Sequence, residues 1–387
     1  MKRQIKTAFI AMLSMVMIQC CYAQATAEGS WVTPSDRHIY YTGRIDFSNP
    51  DMPRLFWTSS LIEARFSGTS LKVILDDSTG HDTYHIIIDG NESQAFTLSC
   101  LKGKNVYTLA ENLEGDDHKV LIAKRTEFSV GDTAFCGFIL DTGKGLSKLP
   151  LYQPRRRIEF FGDSITCGMG NEDESLVNNS DMSLENGYMT YAAMTARNLK
   201  AQAHMTSKSG IGFMVSWADI IMPDIYDRIN PNDKDSKWDF SSWTPDIVVV
   251  NLGTNDSWLY NSRFLTTPTE TQIIEAYVDF VRMLRGKYPE TFILCTLGNM
   301  SSTAENAPFP VYIQEAVNLM REKYSDNKLD TIFFPFKGTD GHPTISEHEL
   351  MADPLTEKIS DIMDWDTIPS EEEPQLQETQ TEKETVN

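Results

Sequence analysis

Two segments far apart in the chain carry residues that together could do nucleophilic chemistry. In FFGDSITCGMG (160–170) the apolar run Ile158–Phe161 stops abruptly at Gly162-Asp163-Ser164, and two more glycines follow. A strand ending in such a turn can lift a serine hydroxyl into a crevice, although the triplet also reads as an ordinary Asx-type turn. Serine is a weak nucleophile until a base takes its proton. Of the seven histidines, His342 in GTDGHPT stands on an irregular segment between an apolar run and a helical pattern. Asp340 lies two residues upstream, and in extended chain residues i and i+2 point to the same side, so its carboxylate could hold the imidazole Nδ1 proton. The plainer alternative is an Asp-Gly turn followed by a helix-entry histidine. His38, His81, His85 and His118 fall in the first half, where His85 reads as packing. His204 reads as structural, and His348 as a surface or packing residue of a helix.

Acyl transfer also needs donors for a developing oxyanion. Asn255, in NLGTND, offers a side-chain amide; Gly210, in TSKSGIGF, offers an unhindered N–H, with Gly212 the second choice. The Ser164 N–H would be the third donor. Trp258, just past Asn255, is equally a candidate sugar platform and a packing residue, whereas Trp217 and Trp243 read as core. No CxxC and no Cys/His cluster at metal spacing is present, so neither a metal nor an organic cofactor is expected.

The elements that must position these residues differ between the two halves. From about Trp31 to Thr142 the chain alternates with a period of two: Ile62, Ala64 and Phe66, then Leu71, Val73 and Leu75, fall on one face of their strands. Many short strands without a helical pattern predict a β-sandwich over 30–145. Beyond LPLYQPRRR, over 155–365, short apolar runs such as RIEFFGDS, DIVVVNLGTND, TFILCTLGNM and DTIFFPF alternate with amphipathic helical stretches. That pattern predicts βαβ units and a parallel α/β sheet flanked by helices, whose ligands bind beyond the carboxyl ends of the strands.

Composition narrows the function. The 387 residues are 41% apolar and carry a formal net charge of −21, which argues against nucleic acid as a partner. Residues 370–387 are rich in Glu, Gln and Thr and predict a disordered acidic tail. Lys2, Arg3 and Lys6 precede an apolar run from Ala8 to Ile18, which predicts a signal peptide over 1–23 and export to the periplasm or beyond. Cleavage after Ala25 and a lipid anchor on Cys20 or Cys21 are the rival readings, and no later segment reads as transmembrane. Oligomeric state is not legible.

GDS at 162–164, Gly210, GTND at 253–256 and Asp340/His342 resemble the blocks of the SGNH (GDSL-type) hydrolases. Here D-G-H-P replaces that superfamily's usual Asp-x-x-His. With YYTGRIDF, ARFSGTSLKVILDD and YHIIIDG in the first half, it is similar to carbohydrate esterase family 2 over about residues 30–365. The resemblance implies a jelly-roll domain before a flavodoxin-like hydrolase domain. It implies a serine esterase acting on acetylated plant cell-wall polysaccharides such as xylan and glucomannan, with some preference for the 6-position of hexoses. Ser164, His342 and Asp340 would be the triad; the family also tolerates a backbone carbonyl in place of the acid. A GDSL lipid esterase or thioesterase, and a non-catalytic glycan-binding protein, are the alternatives.

Overall fold

A computed structural model describes residues 29–149, 156–173, 175, 181–339 and 341–366. The expected signal segment, the acidic tail and Asp340 lie outside the described residues.

In the first half, strands Leu61–Phe66 and Leu71–Asp77 bury every second side chain, as their alternation predicts: Ile62, Ala64, Phe66, Leu71, Val73 and Leu75 are each at most 1% exposed. They belong to two antiparallel sheets. One runs Ser30–Val32, Thr133–Leu140, Leu71–Asp77, Gly103–Ala110; the other runs Leu146–Ser147, Leu61–Phe66, His118–Lys124, Thr83–Ile88, Phe96–Ser99. Facing residues from both sheets, among them Ile62, Ile86 and Ile122 against Val73, Phe135 and Phe138, share one core.

The second half is a five-stranded parallel sheet in the order Gln202–Ser207, Arg157–Gly162, Ile247–Asn251, Phe292–Leu297, Leu329–Phe333. Numbered by sequence this is 2-1-3-4-5, the flavodoxin-like order. The three central strands are nearly continuous apolar runs because both of their faces are covered. Phe161, Val248, Val250 and Cys295 pack on one side with helices Glu270–Lys287 and Phe309–Tyr324. Ile158, Phe160, Ile247 and Val249 pack on the other with Tyr191–Asn198 and Ile345–Met363.

The halves share a core. Phe56, Trp57 and Phe128 of the first half pack within the hydrophobic cluster of the second. Arg44 crosses into the α/β half, where its Nε donates to Glu159 Oε1 at 2.9 Å and its Nη1 to the Tyr226 carbonyl at 2.5 Å. The Tyr288 hydroxyl donates to the other Glu159 oxygen at 2.5 Å. Both charged side chains are fully buried. Removing one partner of such a pair strands a buried charge, so Arg44→Met should cost about 3–5 kcal/mol. Urea unfolding followed by tryptophan fluorescence would measure that loss, and Arg44→Met combined with Glu159→Leu should recover part of it.

Candidate active site

The strand Arg157–Gly162 hands the chain to a single helical turn, Ser164–Cys167. Asp163 caps it, its carboxylate accepting the Ile165 N–H at 3.0 Å. Gly168 closes the turn at φ 83°, its N–H donating to the Ser164 carbonyl at 3.0 Å. Gly162 has no room for a side chain: a Cβ there would stand 2.0 Å from Thr166 Oγ1. Gly162 and Gly168 thus let the chain turn sharply on either side of Ser164, which is 6% exposed.

His342 Nε2 lies 2.9 Å from Ser164 Oγ. The segment that carries the imidazole is moored at both ends. Upstream, the Lys337 N–H donates to the Asn299 carbonyl at 2.8 Å, while its ammonium bonds Thr339 Oγ1 and pairs with Glu347 at 3.3 Å. Downstream, Thr344 and Glu347 form a capping box at the start of helix Ile345–Met363. Burial, with the Lys337 charge adding to it, lowers the His342 pKa to about 4. The ring is therefore neutral at ordinary pH and able to accept a proton.

Two further loops reach the same place. After Gln202–Ser207 the chain turns through Gly210, at φ 78°, whose carbonyl accepts the Trp217 N–H at 2.9 Å. The Gly210 N–H makes no hydrogen bond among the described residues, whereas the Gly212 N–H donates to Ser216 Oγ at 2.9 Å. After Ile247–Asn251, Asn255 and Asp256 enter on the short helix Thr254–Leu259. The Asn255 amide donates to the Ile211 carbonyl at 2.9 Å and, more loosely, to Asp163 Oδ2 at 3.3 Å. Asp256 accepts the N–H groups of Phe213, Met214 and Val215 at 3.1, 2.8 and 3.0 Å, and so shapes the Gly210 loop.

Burial raises both neighbouring carboxyls: Asp163 to about 7, opposed by its bond from Ile165 and reinforced by the charge of Asp256, and Asp256 to about 6 despite its three amide bonds. Each binds its proton more tightly folded than unfolded. Their contribution therefore favours the fold at acid pH and fades as pH rises through about 6 to 7. No group of His, Cys, Asp and Glu among the described residues is arranged to hold a metal ion.

A serine hydroxyl 2.9 Å from a neutral imidazole, with an unengaged backbone N–H and a side-chain amide on the adjoining loops, is an arrangement that acyl transfer requires. Residues 41–150 match the family Carbohydrate esterase 2 N-terminal, and residues 160–365 match the GDSL-like Lipase/Acylhydrolase family. A solved family two carbohydrate esterase from Clostridium thermocellum, in complex with cellohexaose, is 35% identical with a TM-score of 0.76, over 84% of this chain and 99% of that one. The chain belongs to carbohydrate esterase family 2. The Cellulase/esterase CelE of Acetivibrio thermocellus is 37% identical over 336 residues, 84% of this chain, but this chain spans only 40% of the length of CelE. An Acetylxylan esterase / glucomannan deacetylase of Cellvibrio japonicus is 26% identical over 86% of this chain and 91% of that protein.

Within this family 2 member, Ser164 and His342 meet beyond the carboxyl ends of the central strands, and Asn255 is tied to the same turn through Asp163 and to the Gly210 loop through Ile211. Trp258 is 38% exposed and its Nε1 donates to Ser301 Oγ at 3.0 Å. Trp217, read from the sequence as core, is instead 56% exposed and lies beside Gly210: a Cβ on that glycine would sit 3.3 Å from the Trp217 side chain. Trp243 is partly buried, stacked 3.6 Å from His204. His348 is fully buried, its Nδ1 accepting the Tyr191 N–H at 3.2 Å. Cys100, Cys136, Cys167 and Cys295 are buried free thiols. Nothing in the sequence pointed to Lys337, and for Asp256 the only signal was its place beside Asn255. Because a depressed histidine pKa keeps the base competent in acid, the acidic limb of kcat/KM should fall near pH 4 rather than 6.5. Lys337→Met, which removes a nearby positive charge, should move that limb upward in a pH–rate profile.

Proposed function

We propose that the chain is an exported esterase that removes O-acetyl groups from plant cell-wall polysaccharides such as xylan and glucomannan. The observation that carries this reading is the 2.9 Å approach of His342 Nε2 to Ser164 Oγ at the mouth of the parallel sheet. Ser164 attacks the acetyl carbonyl as His342 takes its proton. The oxyanion is held by the N–H groups of Ser164 and Gly210 and by Asn255, which turns its longer bond, to Asp163, over to the substrate. The bond between Gly212 and Ser216 favours Gly210 over Gly212 as donor. His342 then protonates the departing sugar hydroxyl and activates the water that releases acetate. Asp340 orients the imidazole from two residues away. No metal or cofactor takes part.

The exposed faces of Trp258 and Trp217 flank the two donor loops and would cover a sugar ring. The two-sheet half is read as a jelly roll, and residues 1–23 as the signal that exports the enzyme. Support for a polysaccharide comes from the relatives, named for acetylxylan, glucomannan and, in one complex, cellohexaose. The test is acetate release from acetylated xylan and acetylated glucomannan. Ser164→Ala should lower turnover by about 10⁴ or more. Equal release by both proteins would remove Ser164 from the nucleophile's role. A rate that stays flat from acetyl to octanoyl esters would turn the reading toward a lipid esterase, and undiminished glycan binding without acetate release toward a binding protein.

A further inference from the structure

We propose that Glu127, supplied by the two-sheet half, is a positioning residue that holds the oxyanion loop and the nucleophile turn in one frame. The inference rests on the esterase reading for its kinetic consequence, but its structural part does not.

Glu127 follows the strand His118–Lys124 and is 2% exposed. The segment around it is driven into the α/β half. The Arg125 carbonyl accepts the Gly187 N–H at 2.9 Å, the Arg125 guanidinium pairs with Glu172, and Phe128 packs in the large α/β core. From this anchorage Glu127 Oε2 accepts the Ser209 N–H at 2.6 Å and the Cys167 thiol at 3.3 Å. Its other oxygen accepts the Ser129 hydroxyl. Cys167 ends the helical turn that begins at Ser164, and its thiol also reaches Ser207 Oγ at 3.3 Å. One carboxylate oxygen therefore touches two of the three elements that supply oxyanion donors, the nucleophile turn and the Gly210 loop.

The bond to Ser209 sits where it matters. Three successive peptide groups around the Gly210 N–H are tied: Ser209 N–H to Glu127, the Ser209 carbonyl to Lys208 Nζ at 3.0 Å, and the Gly210 carbonyl to the Trp217 N–H at 2.9 Å. The only one of these ties that comes from the other half of the molecule is Glu127. Beneath it, Glu185 Oε1 accepts the Glu127 N–H at 2.8 Å. Burial, reinforced by the Glu127 charge, pushes Glu185 well above the usual carboxylate range. An oxyanion donor acts only when it already points at the developing charge, and a displacement of about 1 Å can cost about 10² in rate.

Two variants separate reach from charge. Glu127→Asp keeps the charge and withdraws the carboxylate by one methylene; Glu127→Gln keeps the reach and removes the charge. With acetylated xylan, Glu127→Asp should lower kcat about 10- to 100-fold with KM within about twofold, and Glu127→Gln should stay within about threefold of wild type. Amide hydrogen exchange over residues 207–213 should accelerate at least about tenfold in Glu127→Asp and not in Glu127→Gln. Wild-type exchange in Glu127→Asp, or an equal kinetic loss in both variants, overturns the proposal. A wild type that releases no acetate would instead sink the esterase reading, and the exchange comparison would still decide whether Glu127 holds the loop.

Discussion

The register of the central parallel sheet is the constraint on which the site depends. Gly162 pairs with Ser207 on one side and with Asn251 on the other, and Asn251 with Thr296. Four strands thus end at one level, and the loops that follow them open into the same crevice. A one-residue slip would turn each strand's side chains to the opposite face and carry the loops out of line. Burial on both faces forbids it, since Phe161, Val248 and Val250 would exchange cores with Phe160, Ile247 and Val249.

Within the crevice, polar groups order one another. Asp256 spends its acceptors on three successive amides of the Gly210 loop, and Asp163 caps the nucleophile turn while meeting the Asn255 amide. Lys337 and the Thr344–Glu347 capping box bracket the histidine. Loops rich in Gly, Ser and Asn carry little apolar surface of their own to fix their shape. Buried hydrogen bonds, expensive to leave unmade, take over that task.

The same logic explains why the first half is bound so firmly to the second. Arg44, Trp57 and Arg125 each enter the α/β half, and Trp57 Nε1 donates to the Ile229 carbonyl at 2.9 Å. A surface that shares a hydrophobic cluster and a fully buried ion pair is a continuation of the core, not a flexible junction.

Short-range patterns carried most of the architecture. Alternation in LIEARF and LKVIL, and unbroken runs in IEFF and IVVVN, report which faces are buried, because burial on a strand repeats every two residues. Turn chemistry at strand ends likewise marked Ser164, Gly210, Asn255 and His342. Asp340, the remaining member of that set, lies outside the described residues. What the chain did not reveal locally are the long-range polar pairings: Arg44 with Glu159, Glu127 with Ser209, and Lys337 beside His342. Nor could it show that Trp217 faces outward, or that the Gly212 N–H is already engaged. A charged or aromatic residue has no sequence period that names its partner. Its role is decided only when the two sheets and the α/β sheet pack together and bring distant backbone amides within hydrogen-bonding reach.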